Sequence, residues 1–116
     1  MSDPNCIFCK IIDRKIPSRI VHEDNLSIAF HDVNPQAPIH ILVVPKKHIP
    51  EIHSMTPEDK ELVGHLFLNA TKIADTLGLD KNGYRMVINN GAGAGQTVFH
   101  IHLHILSGRH FSWPPG

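Results

Sequence analysis

The stretch Val98-Phe99-His100-Ile101-His102-Leu103-His104-Ile105-Leu106 sets a histidine at every second position with an aliphatic residue after each. Side chains of a strand point alternately to opposite faces, so the run is expected to be a strand over 98–106. His100, His102 and His104 would line one face and Ile101, Leu103 and Ile105 the other. Such a pattern calls for a sheet with a core on one side, and it leaves a face of imidazoles for a ligand or a reaction.

The rest of the chain supplies the remaining elements. Cys6 to Ile12 is a dense apolar run closed by Pro17 and reads as a short N-terminal helix. Residues 19–23 and 26–30 flank Asp24-Asn25 as a hairpin with a two-residue turn, and Ile39 to Val44 is a third strand stopped by Pro45, with His40 within it and His48 after it. Thr56-Pro57-Glu58-Asp59 has the form of a helix start, with a capping threonine, a proline in the first turn and an acid behind it. Leu62, Leu66, Phe67, Ala70, Ile73, Ala74 and Leu77 then recur at helical spacing up to Gly78, placed as a C-cap. Tyr84 to Asn90 gives a fourth strand, joined to the histidine strand by Gly91-Ala92-Gly93-Ala94-Gly95. The sum is one α+β domain over residues 1–116, a five-stranded antiparallel sheet with a long helix and a short N-terminal helix against one face.

Composition narrows the function classes. Eleven basic residues balance eleven acidic ones, and no basic run exceeds Lys46-Lys47, which argues against binding the phosphate backbone of nucleic acid but not against a small anion. No apolar stretch approaches the roughly 20 residues that span a bilayer, and the polar start lacks the form of a signal peptide, so no membrane contact and a cytoplasmic location are expected. The two cysteines, Cys6 and Cys9, are spaced as ligand or redox pairs are, and they also fit as small apolar residues of the first helix. No motif claims His22, His53, His65 or His110, which are expected at the surface or on flanks.

Three alternating histidines suggest either a metal or a phosphoryl group. Residues four apart on a strand have Cα atoms roughly 13 Å apart, so two of the three could share one zinc ion but all three could not readily do so. Imidazole, with an ordinary pKa near 6.5, can serve at neutral pH both as a free nucleophile and, when protonated, as a donor to phosphate oxygens. The glycine-rich loop adds weight to that second reading, because glycines let backbone N–H groups approach phosphate oxygens closely.

The run His100-Ile101-His102-Leu103-His104-Ile105-Leu106 resembles the signature of the histidine triad superfamily. Further segments agree in order along nearly the whole chain: Ile7-Phe8, Phe30-His31-Asp32, Pro35-Gln36-Ala37-Pro38 with His40, Val44-Pro45-Lys46-Lys47-His48, Gly83 to Val87, Gly95-Gln96 and Trp113-Pro114-Pro115-Gly116. They are similar to the Hint branch, the nucleoside phosphoramidases, and the Trp-Pro-Pro-Gly tail favours that branch over the dinucleoside polyphosphate hydrolases.

That resemblance implies a homodimer with its sheets joined into one of ten strands, binding purine nucleoside monophosphates and hydrolysing the P–N bond of their phosphoramidates. It makes His102 the nucleophile of a nucleotidyl-histidine intermediate. His104 and His40 neutralise phosphate oxygens or assist the leaving amine, while Asn89, Gly95, Gln96 and Thr97 bind the phosphate. Asp32 takes the ribose hydroxyls, Phe8, Ile11, Phe30, His31 and Val33 wall the base, and Trp113 reaches toward the partner's site. No cofactor is required for catalysis, and the clustered carboxylates of a magnesium site are missing. Thr97 stands where the branch commonly has serine. The Cys6-x-x-Cys9 pair also departs from the branch. In more distant relatives such a pair joins two histidines in a structural zinc site, which here implies Cys6, Cys9, His48 and His100 as ligands. The nearest rival functions are hydrolysis of dinucleoside polyphosphates and nucleotide binding without turnover.

Overall fold

Strands β2 (Ser27–His31) and β3 (Ile39–Pro45) are buried along nearly their whole length, because Ile28-Ala29-Phe30 and Ile41-Leu42-Val43-Val44 offer an apolar side chain to both faces. In this computed structural model, which describes residues 2–116, they form the middle of a five-stranded antiparallel sheet. β1 (Ile20–Glu23), β4 (Tyr84–Val87) and β5 (Leu103–Ser107) complete the order β1-β2-β3-β5-β4.

Each face of the sheet has its own core. Ala29, Ile41, Val43, Leu103 and Ile105 pack against Leu66, Ala70, Ile73 and Ala74 of helix α2 (Lys60–Leu77). Ile28, Phe30, Leu42 and Val44 pack on the other side against Phe8, Cys9 and Ile11 of helix α1 (Ile7–Ile12). The two helices therefore cover opposite faces rather than sharing one. Consecutive apolar residues in β2 and β3 require this, since neither side of those strands can face water.

Helix α2 ends where its sequence predicts and starts one turn later, at Lys60 rather than Pro57. A 3-10 turn over Pro57–Asp59 leads into it, with the Thr56 N–H donating to Asp59 Oδ2 at 3.0 Å, and Gly78 closes it in the left-handed region at φ 70°. The first hairpin forms with its tip at Asn25-Leu26, one residue later than expected. Asp24 causes the shift, because its Oδ1 accepts the N–H groups of Leu26 and Ser27 at 2.8 and 2.9 Å. Its Oδ2 accepts from His22 Nε2 at 3.0 Å, His65 Nε2 at 2.9 Å and Asn69 Nδ2 at 2.7 Å. His65, expected at the surface or on a flank, and Asn69 thus tie α2 to the hairpin, and His22 braces the same carboxylate from β1. Burial alone would raise the Asp24 pKa, but the bonds from His22, the Leu26 N–H, Asn69 and His65 hold the carboxyl well below the usual range.

The histidine strand is shorter than its alternation suggests. Only Leu103–Ser107 pairs with β3 and β4, and β4 itself ends at Val87 rather than Asn90. Residues 98–102 leave the ladder, and the Ile101 N–H bonds instead to the Ile49 carbonyl at 2.8 Å, in the loop that follows β3.

Candidate active site and cysteine–histidine cluster

The break in β5 separates the three histidines by function. His104 lies on β5 and His40 on β3, diagonally placed in the register where His104 opposes Leu42. His100 and His102 sit on the irregular segment before β5, fully buried and nearly so. Both rings lie on the α1 side, edge-on to Phe8 at 5.9 and 5.1 Å, but His102 borders the open cleft whereas His100 faces the cysteines.

Hydrogen bonds assign the imidazole tautomers. His102 Nδ1 donates to the His100 carbonyl at 2.8 Å, which leaves Nε2 as the bare nitrogen. The Gln36 N–H donates to His40 Nδ1 at 3.0 Å, so the His40 proton is on Nε2, 2.9 Å from His104 Nδ1 and 3.4 Å from Asp32 Oδ2. His104, accepting on Nδ1, must then carry its proton on Nε2. That nitrogen is buried without a hydrogen-bond partner, an arrangement that costs free energy unless an acceptor arrives. Burial pushes the pKa values of His102 and His40 down, and it takes His104 to about 4, helped by its neighbours His102 and His40. The set is therefore neutral at pH 7, pairing one bare nitrogen with one unspent donor.

The cleft beside them has a volume of about 590 Å³. Of the expected site residues, Phe8, Ile11, Phe30, His31, Asp32, Val33, His40, Asn89, Gly95, Thr97, His102 and His104 line it. Phe8 anchors the wall, its ring edge-on to Phe30 at 5.5 Å and to His102 at 5.1 Å. Asp32 also turns its chain, with Oδ1 accepting the Asn34 N–H at 2.8 Å.

Two expected residues are elsewhere. Gln96 is buried behind the cleft, where its Oε1 accepts the Gly91 N–H at 2.8 Å and its Nε2 donates to the carbonyls of Pro50 and Val98 at 2.7 and 3.1 Å. It holds the glycine loop, with both ends of its side-chain amide engaged by the backbone. Trp113 is 82% exposed and is not part of this cleft. The sequence reading missed Leu42, Val98, Ile16 and Gln36 in the lining. Leu42 was readable, since it shares the face of His40 two residues away; the others are brought in by loops that carry no periodic signal.

The second cluster stands behind His100. Its Nδ1 lies 3.4 Å from Cys6 Sγ, 3.6 Å from Cys9 Sγ and 3.1 Å from His48 Nδ1, and Cys9 Sγ lies 3.4 Å from His48 Nδ1. Each residue brings one ligand atom within 4.8 Å of the others. Tetrahedral zinc with bonds of about 2.0–2.1 Å to nitrogen and 2.3 Å to sulfur needs edges of about 3.3 Å between nitrogens and 3.6 Å between nitrogen and sulfur, so the donor set fits. The surroundings fit as well. His100 Nε2–H donates to the Pro45 carbonyl at 2.7 Å, leaving Nδ1 free to ligate, and the backbone N–H groups of Cys9 and Asp3 point at Cys6 Sγ and Cys9 Sγ, both at 3.4 Å.

Comparison with known proteins agrees with this geometry. The HIT domain model matches residues 13–111. A HIT-like protein of Synechocystis is 61% identical over 110 residues, covering 95% of this chain and 96% of its own. A HIT family hydrolase of Legionella pneumophila superposes with a TM-score of 0.94 at 49% identity, over 97% of this chain and 100% of its own. A histidine triad nucleotide-binding protein of Candida albicans gives a TM-score of 0.82 at 32% identity, over 97% and 85%. With the family model spanning most of its length and its histidine run at the centre of the cleft, the chain belongs to the HIT domain family.

Proposed function

We propose that the protein hydrolyses purine nucleoside phosphoramidates through a nucleotidyl-histidine intermediate, with His102 as nucleophile. The observation that carries this is the His102 Nδ1 bond to the His100 carbonyl, which leaves Nε2 bare beside a large cleft and next to the unspent Nε2–H of His104. The hydrolase and nucleotide-binding descriptions of the Legionella and Candida proteins support the same class.

In this reading Nε2 of His102 attacks the phosphorus, a P–N bond to histidine forms, and the P–N bond to the amine breaks. The amine leaves with a proton that the His40–His104 pair takes up from solvent as the anionic phosphoryl group binds and passes on through His104 Nε2–H, which returns the pair to neutral. Water then attacks the phosphorus, breaks the bond to His102 and releases the nucleoside monophosphate. Phe8, Ile11, Phe30, His31 and Val33 hold the base, Asp32 the ribose, and Asn89, Thr97 and the Gly95 backbone the phosphate. Zinc at Cys6, Cys9, His48 and His100 is structural, closed by four ligands, and catalysis needs no added metal. Less than about half an equivalent of zinc per purified chain would contradict that assignment.

Turnover is tested with an adenosine phosphoramidate and no added magnesium. AMP release is expected, and His102→Ala should lower its rate by ~10³-fold or more. Binding of AMP without any release would favour the non-catalytic module. Preference for a dinucleoside polyphosphate in a competition assay would favour the rival hydrolase.

A further inference from the structure

His100 belongs to both clusters, by different atoms. Its ring joins Cys6, Cys9 and His48, while its main-chain oxygen is the acceptor that holds His102 Nδ1–H. The position of that oxygen is not set by a strand ladder, because residues 98–102 precede β5. What holds the segment is the Ile101 N–H bond to Ile49, the Gln96 bond to the Val98 carbonyl, and the His100 side chain itself. The first of these acts on the same rigid peptide unit as the His100 carbonyl, so that oxygen is held from two sides, by the Ile101 N–H bond and by the His100 side chain. If the ring let go of the cysteines, only the Ile101 N–H bond to Ile49 and the His100 Nε2–H bond to Pro45 would hold that peptide; where they yield, the peptide turns, His102 loses its acceptor, and its proton moves to Nε2. A protonated Nε2 is no nucleophile.

We propose that Cys6, Cys9, His48 and His100 act as positioning residues for His102, and that a metal-loaded cluster fixes the tautomer and direction of the nucleophile. This rests on the zinc reading above and deepens it. A site that looks purely structural becomes a control on catalysis through one hydrogen bond. His48 is the residue to test, because it touches the cysteine cluster and borders no part of the cleft.

The experiment follows the His102 Nδ1–H proton by NMR in protein labelled with ¹⁵N-histidine, in the zinc-loaded chain, the same chain after chelation, His48→Ala and His48→Cys. Amide protection of Ile28 and Val43 in the central strands reports whether the sheet remains intact. The loaded chain should show a protected Nδ1–H. Chelation and His48→Ala should abolish that protection while the strand amides keep theirs, and kcat should fall by about 10–100-fold, as losses of groups that orient metal-site residues do. His48→Cys, which supplies another zinc ligand, should restore both. If zinc binds but the His102 signal is unmoved by chelation and by His48→Ala, this inference fails and the zinc site stands. If chelation or His48→Ala costs the strand amides their protection together with the His102 proton, the cluster supports the whole fold and a specific positioning role is overturned. A chain that binds no zinc overturns both readings. The NMR readout is independent of whether phosphoramidates are the substrate.

Discussion

Gln96 and His100 are residues whose roles depend on what each end of the side chain touches. Gln96 uses its amide to join the Gly91 N–H with the carbonyls of Pro50 and Val98. Gln96→Ala should leave three partly shielded backbone groups without their partner and cost about 1 kcal/mol in urea unfolding, with AMP binding weakened through the loosened loop. An unchanged unfolding midpoint would show the brace to be unnecessary. The cleft-lining histidines and apolar residues were legible because chemistry and motif coincide there. The hydrogen bonds of Gln96 were not, because a glutamine that faces a ligand and one that braces a loop occupy the same place in sequence. His100 and His102 looked equivalent by alternation and do lie against the same Phe8 ring; what divides them is what each meets beyond it, the cysteines for one and the cleft for the other.

Among the elements, the fastening of α2 to the β1–β2 hairpin is the contact with a clear pH signature. Folding holds the Asp24 carboxyl below its ordinary range against the opposing effect of burial, so the ionised group stabilises the native state above pH ~4. As pH falls below that value the contribution is lost. The stability difference between wild type and Asp24→Asn should therefore be largest near neutrality and shrink between about pH 4.5 and 3, read from urea unfolding at each pH. A difference that stays constant would mean that His22, His65 and Asn69 do not favour the charged form. Most of helix α2 was readable, with Gly78 closing it as expected, because its signals are local; the capping threonine opens a 3-10 turn that precedes the helix proper. The covering of both sheet faces was present in the unbroken apolar run of β3 but is easily missed when α1 is only six residues long.

At the scale of the whole molecule, the sheet ends at β4, and the C-terminal tail is fastened beside that edge. Arg85 on β4 donates to the Ser112 carbonyl at 3.1 Å and lies 5.2 Å from the Phe111 ring centre, which leaves Trp113 projecting outward. β1, at the other edge, carries an irregularity in its pairing between Ile20 and His22, a feature that discourages further strand addition. A second copy joined through β4 is therefore expected, with light scattering giving twice 13.0 kDa and Trp113→Ala lowering turnover more than stability. A monomer at micromolar concentration would contradict this. Five antiparallel strands were legible from local signals, whereas the order that sets β5 between β3 and β4, like a joint between two copies, depends on surfaces that periodicity does not mark.

The most direct test of the proposed chemistry is rapid-quench mass spectrometry of the protein turning over an adenosine phosphoramidate. The expected result is an acid-labile adenylyl group on the peptide containing His102, formed as the amine is released and missing from His102→Ala. An adduct on another residue, or steady turnover by His102→Ala, would show that His102 is not the nucleophile.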